Sequence, residues 1–218
     1  YKNTEWLPSI KSEDKHIKKI ISKKNKQKNY ISNLMYLLNS RIKTENQIDL
    51  KNFLKRKKFK HFKRINIGII SNSNYYFLKE ILEFAGYRKG LDINLYFTEN
   101  NKVLESVLSS KNLFNTKSKM DFIILALDHY YFLSKDYSNS KLDVADELFD
   151  QKKIIIEKIK KKLNCSLILQ TIPLPPVRIF NNYEQKLKNS STSLINELNK
   201  KIINYSLISK DFIFDVAN

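Results

Sequence analysis

Cysteine is all but missing. Cys165 is the one thiol in 218 residues. A lone thiol excludes an intramolecular disulfide and points to a reducing compartment. It precedes the apolar run Leu167-Ile168-Leu169, and no histidine stands near it, so it reads as a buried core thiol rather than a nucleophile. Glycine (three) and proline (four) are scarce too. A phosphate-cradling loop uses glycine to let backbone approach the ligand, and this chain has little to spend there. Of the histidines, His16 and His61 have no second ligand at metal spacing. No apolar run is long enough to span a bilayer, and no secretory leader is visible. The expected compartment is the cytoplasm. The chain opens on Tyr1 rather than Met and stops just after the apolar run Phe212 to Val216, so it reads as a piece cut at a domain boundary.

Positive charge is abundant. Lys and Arg number 40 against 22 acidic residues, a net charge of +18. Nucleic acid is the first partner such charge brings to mind. Yet the cations are overwhelmingly Lys, while Arg dominates specific base and phosphate recognition. The tyrosines are scattered and form no stacking platform. Lysine with much Asn and Ile, and little Gly, Pro and Ala, is also the signature of an AT-rich coding sequence. An acidic protein surface, such as a carrier protein, suits the charge equally well. Lys55-Arg56-Lys57-Lys58 reads as a solvated helix face.

The apolar share of 42% supplies a core. Residues 1–63 read as a basic helical extension. Trp6, Leu7 and Ile10 anchor its start, and Ser12 to Lys24, Tyr30 to Leu38 and Ile48 to Phe59 have helical spacing. The stretch 64–218 alternates strand and helix. Arg64 to Ile70 is a β-branched strand of the kind buried on both faces of a parallel sheet. Ser71-Asn72-Ser73-Asn74 follows as a loop. The spacing then predicts a helix over Tyr75 to Ala85, capped by Ser73 or Asn74 and ended by Gly86, with Phe77, Leu78, Ile81, Leu82 and Ala85 on its apolar face. Strands follow at Asp92 to Phe97, Met120 to Leu127, Ser166 to Ile172 and Phe212 to Val216. Helices are read at Val103 to Leu108, Asp143 to Leu163 and Ser190 to Tyr205. Pro173, Pro175 and Pro176 make a rigid strand exit. Strands separated by helices imply a five-stranded parallel sheet in a three-layer α/β/α sandwich. Ligands of such sheets bind at the carboxyl ends of strands, where strand order reverses.

Polar groups collect at those strand ends: Ser71, Asn72 and Ser73 after the first strand, Asp128 and His129 after the third, Thr171 in the fourth, and Asp215 and Asn218 at the last. This arrangement resembles the SGNH (GDSL-type) hydrolases. That resemblance puts Ser73 at the nucleophile position, Asp128 near the oxyanion-donor position and Asp215-Val216-Ala217-Asn218 over the Asp-x-x-His segment. The match is degenerate. An ionised carboxylate cannot donate to an oxyanion, and Asn218 cannot take a serine proton. His129 could serve as base only by reaching Ser73. A flavodoxin-like sheet is the other doubly wound form, and its phosphate loop wants more glycine.

Further stretches resemble the N-terminal region of FkbH-like proteins, which join an SGNH-like domain to a haloacid-dehalogenase-type (HAD) domain. They are Phe77-Leu78-Lys79-Glu80-Ile81-Leu82, Gly90-Leu91-Asp92-Ile93-Asn94-Leu95-Tyr96, Leu108 to Phe114, Met120 to Asp128, Gln170 to Pro176 and Ile195 to Asn199. The resemblance implies a role with activated glyceryl units and an acyl carrier protein, in polyketide or surface-polysaccharide pathways. It implies too that the chemistry belongs to a HAD domain absent from this chain. The expected role is therefore an accessory domain, without a cofactor of its own, that positions an acidic acyl carrier protein or its acyl unit. Ser73 and Asp215 are the candidate catalytic residues, and Ser71, Asn72, Asp128, His129 and Thr171 the candidate binding residues. The alternatives are an active serine esterase or acyltransferase using Ser73, and a basic nucleic-acid binder.

Overall fold

The computed structural model describes residues 7–22, 30–57, 59–98, 102–109, 113–114, 116–133, 143–176, 183, 186–187 and 190–217. Trp6, Lys58, Asn181, Asn182 and Asn218 lie outside them. Packing divides the chain into two units, Tyr1–Ile65 with Phe77–Asn94, and Asn66–Tyr76 with Leu95–Asn218.

The first unit is built on helices α1 (Glu13–Ser22), α2 (Tyr30–Leu38), α3 (Thr44–Lys57) and α4 (Lys79–Arg88). Leu34, Leu37, Leu38, Leu50, Leu54, Phe84 and Tyr87 are its buried centre. The α4 helix differs from its expected form. A 3-10 turn, Tyr76–Leu78, precedes it. Its N-cap is Leu78, with no side-chain cap, because the Asn74 carboxamide is used on the Tyr76 amide (3.0 Å). The helix runs through Gly86 rather than stopping there. Gly86 lets the helix approach strand β2 (Leu91–Phe97), since a Cβ there would sit 2.7 Å from Ile93 Cγ1. Gly90, at φ +75°, is the glycine that takes the left-handed turn. The buried face also differs: Phe77 is 64% and Ile81 47% exposed, whereas Glu83 is 1% exposed. A buried carboxylate needs partners, and α3 supplies two, Lys55 at 2.6 Å and Lys51 at 3.5 Å. Lys51 also pairs with Glu80.

The strands are β1 (Lys63–Ser71), β2 (Leu91–Phe97), β3 (Phe122–Ala126), β4 (Ser166–Gln170) and β5 (Phe212–Phe214), in the order β2-β1-β3-β4-β5. The sheet is the five-stranded parallel sheet expected, with the register Ile69 to Ile124 to Ile168 to Phe212 running across it. From β2 onward the chain steps one way across the sheet. Right-handed crossovers therefore put α5 (Val103–Leu108), α7 (Val144–Lys162) and α8 (Ser191–Ser209) on one face. There Val107, Ile155, Ile156, Leu198 and Ile202 pack on Ile123, Leu125, Leu167 and Leu169. The step from β1 to β2 runs the other way, as a doubly wound three-layer sandwich requires. On β1, Gly68 leaves room for the Phe114 ring, which a Cβ would overlap.

Local signals set the long helices. Asp143 caps α7, accepting from the Ala145 amide at 2.9 Å, and Lys160, Lys161 and Lys162 face its negative end. Ser190 caps α8 through the Ser193 amide (3.1 Å). Three strands are shorter than their apolar runs, β3 covering Phe122–Ala126 of Met120 to Leu127, and β4 and β5 stopping early. The carboxamide of buried Asn199 takes both the Ile172 amide (2.7 Å) and the Ile172 carbonyl (2.9 Å), so β4 ends at Gln170. The Val216 amide turns to the Thr171 hydroxyl (2.8 Å), so β5 ends at Phe214. Cys165 is partly rather than fully buried, and burial raises its thiol above its ordinary value against the opposing effect of Lys119.

Candidate functional site

Strand order reverses between β1 and β3, and the loops leaving their carboxyl ends carry the main polar cluster. The helix α6 (His129–Leu133) begins directly after Asp128. Asn72 and Asp128 hold each other reciprocally. The Asn72 side-chain amide donates to Asp128 Oδ1 (2.7 Å), and the Asp128 backbone amide donates to Asn72 Oδ1 (3.0 Å). The Ser73 hydroxyl donates to Asp128 Oδ2. The amides of Tyr130 (2.9 Å) and Tyr131 (3.4 Å) complete the shell at Oδ1. Burial by itself raises the Asp128 carboxyl. Hydrogen bonds from Ser73, Asn72, Tyr131 and Tyr130 outweigh it and hold the group below its ordinary value. Asp128 is therefore an ionised, well-solvated acceptor at neutral pH and a poor proton acceptor for a serine.

The Ser73 amide donates to the buried Ser71 hydroxyl at 2.9 Å, so Ser71 shapes the turn. Among the described residues no histidine hydrogen-bonds the Ser73 hydroxyl. His129 packs against Tyr130 with ring centroids 4.1 Å apart and planes tilted by 36°, and among the described residues its Nδ1 is buried without a partner.

Thr171 and Asp215 form a second cluster, at the ends of β4 and β5. The Thr171 hydroxyl donates to Asp215 Oδ1 (2.8 Å) and accepts from the amides of Val216 (2.8 Å) and Ala217 (3.2 Å). The candidate catalytic pair is thus divided, Ser73 standing with Asp128 and Asp215 with Thr171. Strands β1 and β5 are three strand spacings apart, roughly 14 Å. Asn218, at the expected base position, lies outside the described residues.

One polar group at these strand ends was not singled out from the sequence. Thr98 leaves β2 with its amide on the Ile69 carbonyl (3.2 Å), and its hydroxyl is buried without a partner among the described residues. Its signal was the position just past an apolar strand. Among the described residues no cluster of His, Cys, Asp and Glu could hold a metal ion, and no helix is long and apolar enough to cross a membrane.

The chain matches no protein-family model and no curated protein. A solved structure is similar. It is the N-terminal part of protein BF1531 from Bacteroides fragilis, which contains a phosphatase domain and is complexed with Mg, at a TM-score of 0.58 and 19% identity over 77% of this chain. At that identity the likeness establishes the fold. The match covers 45% of the BF1531 chain, so this chain spans less than half of that protein.

Proposed function

We propose that this is the accessory SGNH-like domain of an FkbH-like protein that also carries a HAD-type domain. In this reading it positions an acidic acyl carrier protein, or the glyceryl or acyl unit on it, for transfer in polyketide or surface-polysaccharide biosynthesis. The observation that carries the reading is the state of Ser73. Its hydroxyl is held on an ionised carboxylate, an arrangement that orients a polar group but does not create a nucleophile. The likeness to the N-terminal part of a phosphatase-domain protein supports the same division of labour. The net charge of +18 would steer an acidic carrier toward the domain.

The test is binding of an acidic acyl carrier protein by calorimetry at rising salt, with the Ser73→Ala variant beside the parent. Salt-sensitive binding that survives the substitution supports the reading. Turnover of a p-nitrophenyl ester that Ser73→Ala abolishes would replace it with the esterase reading. The ring nitrogen of His129, buried one residue beyond Asp128 with no partner among the described residues, is the feature that favours that second reading.

A further inference from the structure

A cavity of about 230 Å³ opens between α1 and α2. Its floor is Ile20, Leu37 and Tyr30, all buried. Tyr30 is fixed from behind. Its hydroxyl donates to the Ile20 carbonyl (3.2 Å), and its ring stacks on Phe59 at 6.0 Å. Helical spacing assembles the walls. His16, Lys19 and Ile20 share one face of α1, and Tyr30, Asn33 and Leu37 share one face of α2.

The exposed mouth is formed by His16, Lys19, Asn33 and Tyr36. Among the described residues the side chains of Lys19, Asn33 and Tyr36 make no hydrogen bond or ion pair. His16 Nδ1 lies 3.2 Å from the Ser12 carbonyl. A carbonyl only accepts, so Nδ1 holds the ring proton and Nε2 is an acceptor that gives an anion no hydrogen bond. The acids of α1 are used elsewhere. Glu13 accepts from the Lys43 amide (2.7 Å) and Asn46 (2.6 Å), and Asp14 from Asn46 (2.9 Å). Among the described residues no carboxylate lines the cavity.

We propose that this cavity is a binding site for a small organic anion, one aromatic ring carrying a phosphate or carboxylate group. An apolar floor with a few convergent polar groups is the general form of a small-molecule site. An apolar cavity of about 150 Å³ accepts benzene, so this one holds a ring with its headgroup. The ring lies on Ile20, Tyr30 and Leu37, and the anion meets the Lys19 ammonium, the Asn33 carboxamide and the Tyr36 hydroxyl.

The test is calorimetry on the whole 218-residue chain with phenyl phosphate, benzoate and inorganic phosphate as probes. At a net charge of +18 any anion is attracted somewhere on the surface, so the deciding variant is neutral. Asn33→Trp fills the mouth at an exposed position and leaves the charge unchanged. The proposal expects saturable binding of phenyl phosphate or benzoate, tighter than inorganic phosphate by about tenfold or more. Lys19→Met should weaken it about tenfold or more, as loss of a charge-assisted hydrogen bond does. Asn33→Trp should abolish it with the melting temperature unchanged. Absence of saturable binding by both aromatic probes at millimolar concentration overturns the proposal. So does binding no tighter than that of inorganic phosphate, or binding that persists in Asn33→Trp.

Discussion

Replacing Lys152 with methionine should make the protein more stable, and the gain should depend on pH. Lys152 lies in α7 with none of its surface exposed. Its ammonium donates to the Gln170 carbonyl (3.0 Å) and stands 5.9 Å from the centre of the Phe132 ring. Burial without a carboxylate partner lowers it from 10.5 to about 7. At about 1.4 kcal/mol per pH unit, that fall corresponds to about 5 kcal/mol of destabilisation, as an upper bound. Below about pH 7 the amine is protonated in both the folded and the unfolded chain, and the burial cost is complete. Between about 7 and 10.5 the unfolded chain binds a proton that the folded chain does not, so stability rises with pH there. Methionine keeps the length of the side chain and removes the titration, at the loss of one hydrogen bond of about 1 kcal/mol. The expected net gain near pH 7.5 is about 1–3 kcal/mol, or a rise in Tm of about 2–10 °C. Urea melts of the two proteins at pH 7, 8 and 9 measure it. The gap between them should narrow as pH rises. A Lys152→Met protein that is less stable at pH 7.5, with a gap independent of pH, would refute the reasoning.

Asp128→Asn should destabilise the loops at the β1 and β3 ends. Because the folded carboxyl is held below its ordinary value, its contribution is present above about pH 4 and is lost as pH falls through the folded value. Urea melts from pH 7 down to pH 3 should show the parent and variant converging. Glu83→Ala should cost about 1–3 kcal/mol, because it leaves Lys55 without its carboxylate and Lys51 with Glu80 alone. Glu83→Ala combined with Lys51→Met should recover part of that loss in the same melts. Gly68→Ala should cost about 1–3 kcal/mol by thermal melting, since the new methyl meets the Phe114 ring. If Gly68→Ala melts with the parent, the ring packs elsewhere.

The sequence by itself determined the elements whose signals are local. Tyr30–Leu38 and Val103–Leu108 are the helices that helical spacing predicts, residue for residue. Asp143 and Ser190 start α7 and α8 because a cap bonds to amides two or three residues on. The strand and helix alternation, with right-handed crossovers, was enough for the sandwich and for placing the polar loops at the carboxyl ends. Only the tertiary structure decided which face of α4 is buried. The apolar spacing favoured Phe77, Ile81 and Leu82, but Lys51 and Lys55 of α3, about 30 residues earlier, make Glu83 the buried one. Asn199 and Thr171 likewise cut β4 and β5 short of their apolar runs, through bonds spanning 27 and 45 residues. The same holds at the candidate site. Ser73 was legible as a strand-end serine, but its partner Asp128 stands 55 residues away, and its carboxyl is held below its ordinary value because four donors converge on it. Spacing along the chain governs what neighbours do, and the charge state of a side chain depends on groups that meet only when the chain has folded.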